Sequence, residues 1–129
     1  MNENINNHIS SIVVSDRNKK KSIIDTNDIL YFSASSPYIN IHQVNKKHLL
    51  LDTLKALENK LDSNQFIRIH KSLLINLNHV SSFKSRLNGD YDLILTDETV
   101  LRLSRNYAVN FKQKFDQSHR LTPQKTPLR

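Results

Sequence analysis

The run Phe66-Ile-Arg-Ile-His-Lys-Ser-Leu-Leu-Ile-Asn-Leu77 gathers Arg68, His70, Lys71 and Ser72 into one short stretch, and Leu103-Ser-Arg-Asn-Tyr107 answers it further on. Phe66, Ile67 and Ile69 are apolar, while Arg68 and His70 point the other way. A strand with one buried and one wet face reads like this, because side chains change sides at every residue. Lys71 and Ser72 prolong the wet positions just ahead of a second apolar stretch. A strand end or turn there concentrates hydrogen-bond donors, which suits phosphates and base edges better than it suits a small molecule.

Other chemistries fit poorly. Ser72 and His70, two apart on a turn, lack an orienting acid and an oxyanion hole, so no catalytic pair is expected. Among the six histidines, His42 and His48 lie six apart across a charged loop, and no metal site is expected. Cysteine is absent, which removes disulfide frameworks and thiolate metal sites. Gly89 is the single glycine, so no Gly-rich phosphate loop can form and no cofactor is expected. Without tryptophan, and with four Tyr and five Phe, few platforms exist for stacking single-stranded bases.

The 129 residues make one domain of ordinary size and carry a net charge of +7, an excess that favours nucleic acid or an acidic membrane as partner. No apolar stretch approaches the ~18–20 residues that span a bilayer, and Met1-Asn-Glu-Asn4 is polar and acidic, unlike a signal peptide. A soluble cytoplasmic protein without membrane insertion is the expectation.

The elements that must position these donors are mostly strands. Ser11–Ser15 and Ser22–Asp25 read as strands around a charged turn, Asp16–Lys21, whose lysines are solvated or add a phosphate contact. Ile29–Phe32, Tyr38–His42 and His48–Leu51 follow, the first two joined by the loop Ser33–Pro37. Asp52 offers an N-cap to a helix from Thr53 to Leu61, with Leu54, Leu57 and Leu61 on its core face. His79–Phe83 and Tyr91–Leu95 flank Asn88-Gly89, a hairpin signal because both residues tolerate positive φ. After Val100–Leu103, Ser104 can cap a closing helix from Arg105 to Phe115, with Ala108, Phe111 and Phe115 on one face and Tyr107 in the core. Residues 1–10 are Asn-rich and expected to be frayed, 11–116 form the domain, and the basic tail 117–129 is expected to be disordered. Such a mainly β domain has no long recognition helix, so loops and strand ends would have to enter a groove of DNA.

These residues resemble the LytTR domain, the DNA-binding module of many bacterial response regulators, over about residues 10–115. The likeness rests on Ile29-Leu-Tyr31, on Pro37-Tyr-Ile-Asn-Ile-His42, and on the helix from Thr53 to Leu61. It rests above all on F-x-R-x-H-(K/R/N)-S followed by V/I-N, here Phe66, Arg68, His70, Lys71, Ser72 and Ile75-Asn76, and on S-R-x-Y as Ser104-Arg-Asn-Tyr107. The resemblance implies an elongated stack of small antiparallel β-sheets with two short helices, whose loops enter successive major grooves of double-stranded DNA. Three loops would touch DNA: one offers Tyr38 and Asn40, one offers Lys71 flanked by His70 and Ser72, and the last offers Arg105. Tyr38 departs from the pattern, standing where some relatives carry a polar base-reading residue. The family's usual phosphorylatable receiver has no room here, which implies a stand-alone factor or an isolated effector domain.

Each residue also has a structural reading. Arg105 at a helix start, where the macrodipole repels cations, is either a bidentate guanine contact or a solvated arginine. Lys71 is a phosphate or base contact, and Arg68 is either a DNA contact or a brace for the turn. His70 reads a base or bonds within the turn; Ser72 and Asn76 more readily satisfy backbone groups. The expected function is a sequence-specific transcriptional regulator, acting as a dimer on repeated half-sites and open to control by a regulatory protein. The rivals are a module for an acidic protein partner, such as a membrane-bound regulator, and an RNA-binding domain.

Overall fold

In the computed structural model of the chain, residues 7–119 are described. Strands β1 (Ser11–Ser15) and β2 (Lys21–Asp25) form an antiparallel pair that turns Ile12, Val14 and Ile24 inward. Their turn is tightened by Asp16, whose Oδ1 accepts from the Asn18 and Lys20 N–H groups at 2.8 and 3.0 Å. Next come β3 (Tyr31–Ser35), β4 (Tyr38–Gln43) and β5 (Lys46–Leu51), then helix α1 (Leu54–Lys60). Strands β6 (Phe66–His70) and β7 (Leu73–Asn76) complete a five-stranded sheet in the order β5-β4-β3-β7-β6. A three-stranded sheet, β10-β9-β8, is built from β8 (Val80–Ser85), β9 (Tyr91–Leu95) and β10 (Val100–Leu103), and helix α2 (Arg105–His119) closes the chain. All pairings are antiparallel, so the mainly β architecture with two helices stands as expected.

The five-stranded sheet separates two cores. Alternation sends Phe32 and Leu74 to one side with Ile39, Ile41, α1 and the β1–β2 pair. Their neighbours Tyr31 and Ile75 face the other side, with β8–β10 and α2. This layering narrows the wet face expected for β6 to Arg68 and His70. Phe66 enters the first core while Ile67 and Ile69 enter the second, so β6 is covered on both sides, and only Arg68 and His70 reach the rim. Arg68 and His70 stay half-exposed on the face opposite Ile67 and Ile69.

Boundaries also differ: β3 runs to Ser35, into the stretch expected as a loop, and β5 starts at Lys46. Thr53, not Asp52, caps α1: its Oγ1 accepts from the Ala56 N–H at 3.1 Å, while Asp52 Oδ1 accepts from the N–H of Thr53 itself. The expected fray of residues 1–10 does not extend to Ile9 and Ser10. The Ile9 N–H donates to the Lys60 carbonyl at 2.9 Å, and the Ser10 carbonyl accepts from the Thr26 N–H at 3.0 Å. Helix α2 runs to His119, into the stretch expected to be tail; nothing between Phe115 and His119 breaks a helix, and the His119 ring lies 4.5 Å from that of Phe115. The rest of both expected terminal segments, 1–6 and 120–129, lies outside the described residues.

Candidate nucleic-acid interface

The β6–β7 turn is held by its own motif. Arg68 extends from β6 and donates from Nε to the His70 carbonyl at 3.1 Å and from Nη2 to the Lys71 carbonyl at 3.0 Å, while Nη1 pairs with the Glu58 carboxylate on α1. A guanidinium's rigid fork of donors suits this bracing of two carbonyls and a carboxylate at once. On the other side of the turn, His70 Nδ1 accepts from the Ser72 N–H at 3.1 Å, with Ser72 Oγ 3.0 Å away. An acceptor Nδ1 puts the ring proton of the neutral imidazole on Nε2, at its opposite edge. The Ser72 carbonyl in turn accepts from the Ala34 N–H of β3 at 2.9 Å. All this leaves Lys71 at the tip, exposed and without a side-chain hydrogen bond among the described residues.

Arg105 opens α2 and is also exposed. Its backbone N–H donates to Asp90 Oδ1 at 3.0 Å, and its Nη1 lies 3.5 Å from the Asn88 carbonyl in the β8–β9 loop. That loop closes through Arg86 N–H to the Asp90 carbonyl at 2.8 Å, with φ of 78° at Asn88 and 83° at Gly89. The expected turn residues thus sit in left-handed geometry, but within a three-residue loop that includes Leu87.

The probes from the two motifs are joined by the backbone. The Ser104 N–H donates to the Ile69 carbonyl at 2.9 Å, so the start of α2 is tied to the strand that carries His70 and Lys71. Of the two probes, Tyr38 meets Lys71 alone: a shallow cleft of about 350 Å³ is lined by Pro37, Tyr38, Thr53, Lys55, Arg68 and Lys71. Asn40 is not part of that cleft. It sits half-buried within β4, opposite Ser33 and Leu49. Nearby, His42 stacks on Tyr31 at 4.0 Å and bonds Ser33 Oγ through Nε2 at 2.8 Å; burial, with help from Lys47, lowers its pKa below the ordinary histidine value. A second basic group, Arg17, Lys20, Lys46 and Lys47, lines a groove that reaches Tyr38.

Residues 8–116 match the model of the LytTr DNA-binding domain. The chain belongs to this family. Its relatives include the sensory transduction protein LytT of Bacillus subtilis, 32% identical over 91 residues, which are 70% of this chain and 38% of that protein. The sensory transduction protein LytR of Staphylococcus epidermidis is 30% identical over 112 residues, 87% of this chain and 43% of that protein. The chain therefore spans about two fifths of the length of the curated relatives it matches. A solved LytTr DNA-binding domain from Bacillus cereus shares the fold, with a TM-score of 0.75, 18% identity, and coverage of 82% of this chain and 96% of that one. Among the described residues no helix is long and apolar enough to cross a membrane.

Two residues at the LytTr motifs escape a reading of the sequence: Glu58, which holds Arg68, and Asp90, which holds the start of α2. Both are carboxylates paired across elements, ten and fifteen residues from their partners, and no local pattern marks them.

Proposed function

We propose that this chain is a sequence-specific binder of duplex DNA that regulates transcription in the bacterial cytoplasm, with residues 11–116 as the binding unit. Its turns enter successive major grooves: Tyr38, with Asn40 behind it, from the β3–β4 turn; Lys71 from the β6–β7 turn; and Arg105 from the start of α2. His70 and Ser72 shape the turn under Lys71, and Arg68 works as its brace rather than as a base contact. The observation that carries this reading is the Ser104–Ile69 backbone bond, which ties the start of α2, where Arg105 stands, to the strand that leads into the Lys71 turn. The net charge of +7 supports a large phosphate contribution to affinity. Lys71 and Arg105 supply discrimination by reaching base edges.

The test is retardation of a selected duplex with random duplex, single-stranded RNA and heparin as competitors. Neutralising about five to seven phosphates makes log K fall against log[salt] with a slope of about −5 to −6. Arg105→Ala costs ~1–3 kcal/mol at the selected site and relaxes one base position. A slope near −1, or preference for RNA, would reject the proposal.

A further inference from the structure

A cation on the first residue of a helix faces the positive end of the helix dipole, which disfavours it. Arg105 stands there, and Asn106 and Tyr107 bring no negative charge. The charge comes instead from Asp90, fifteen residues away at the end of the β8–β9 loop, whose Oδ1 accepts the Arg105 N–H at 3.0 Å. Asp90 Oδ2 lies 3.4 Å from Arg102 Nη1. Asp92 takes the rest of that arginine, at 3.6 Å from its Nε, together with Arg86 at 3.0 Å. Asp90 Oδ1 is thereby left to the helix.

The arginine side chain is steered by the same loop. Its stem lies over Gly89, where an added Cβ would stand 3.4 Å from Arg105 Cβ and 3.7 Å from Cδ. The Asn88 carbonyl meets one guanidinium nitrogen at 3.5 Å, and the residue as a whole stays exposed. The loop thus holds the backbone and the stem and leaves most of the fork's donors open.

We infer that Asp90, with the Asn88-Gly89 turn, is the positioning device that aims Arg105 at its base, an inference resting on the base-reading role proposed above. Bidentate recognition requires the planar fork at a set angle, and a side chain held there before binding loses less freedom on contact. Asp90 itself touches no DNA. Its work is geometric.

The experiment places the full chain and its variants on duplexes in which each base pair of a selected site is changed in turn, and on random duplex. Asp90→Ala lowers the preference at the base pair identified by Arg105→Ala by about tenfold. It leaves random-duplex affinity equal or tighter, because a negative charge is gone, and adds nothing when combined with Arg105→Ala. Asp90→Asn, which keeps an acceptor in place, retains most of the preference. Asp90→Glu, which keeps the charge but moves the oxygens, relaxes it and carries the test if the alanine variant does not fold. Preference intact in both Asp90→Ala and Asp90→Glu, equal loss on every duplex, or additivity with Arg105→Ala would overturn the inference. If Arg105→Ala relaxes no position, the base-reading assignment of Arg105 fails first, and the inference falls with it.

Discussion

Asn76 and Lys71 lie in one motif and have opposite surroundings. Asn76 is fully buried; its Nδ2 donates to the Ile29 carbonyl at 2.8 Å, and its Oδ1 accepts from the Asn78 N–H at 3.0 Å and from Gln65 Nε2 at 3.3 Å. It stitches the end of β7 to the chain entering β3. Asn76→Ala leaves buried backbone groups unsatisfied and lowers unfolding free energy by about 1–3 kcal/mol, read from urea titration, while the salt slope of DNA binding stays unchanged. A changed slope with unchanged stability would place Asn76 at the DNA instead. The motif string marks both residues without distinguishing them. Burial does so, and Asn76, paired with Phe66 and on the same side of β7 as Leu74, is covered by the first core, whose members lie far apart in sequence.

Between elements, the decisive link is Glu58 to Arg68. Helix α1 owes its place to Leu54, Leu57 and Leu61 in the first core, so it remains docked without Glu58. The pair is partly exposed, and exposed pairs contribute little to stability, so Glu58→Gln changes unfolding free energy by less than ~1 kcal/mol. Its effect falls on the turn: Arg68 loses its outer anchor and Lys71 its fixed position. Loss of a negative charge near a polyanion would alone tighten binding, so the sign of the change is diagnostic. We expect a three- to tenfold weaker complex at the selected site, on the order of 1 kcal/mol, measured by fluorescence anisotropy; tighter or unchanged binding would show that the two carbonyl bonds of Arg68 hold the turn unaided. The strands themselves were legible, because their alternation and turn residues are local. The wet face expected for β6 narrows to Arg68 and His70, because the cover over Phe66 comes from elements distant in sequence. For the same reason Ile9 read as frayed, although the end of α1 and the core behind it hold it in place.

At the scale of the whole molecule, the three turns are linked: Tyr38 and Lys71 share a cleft, and the Ser104–Ile69 bond ties Arg105's helix to the strand that leads into the Lys71 turn. On the reading proposed above, one such set of turns spans few base pairs, and the discrimination available from two or three side chains, each worth about 1–3 kcal/mol, would fall short of what a genome of competing sites requires. If the proposed turns read bases, two copies on repeated half-sites would double that reading, provided both face the same side of the duplex. Half-sites about one helical turn apart, ~10 base pairs, meet this condition. Inserting ~5 base pairs between them rotates one copy to the opposite side and should abolish cooperative binding in a retardation titration, whereas inserting ~10 restores their relative facing. No cooperativity at any of the three spacings would mean that each copy binds alone, and the specificity would then have to come from sequence-dependent bending of the duplex rather than from a second set of turns.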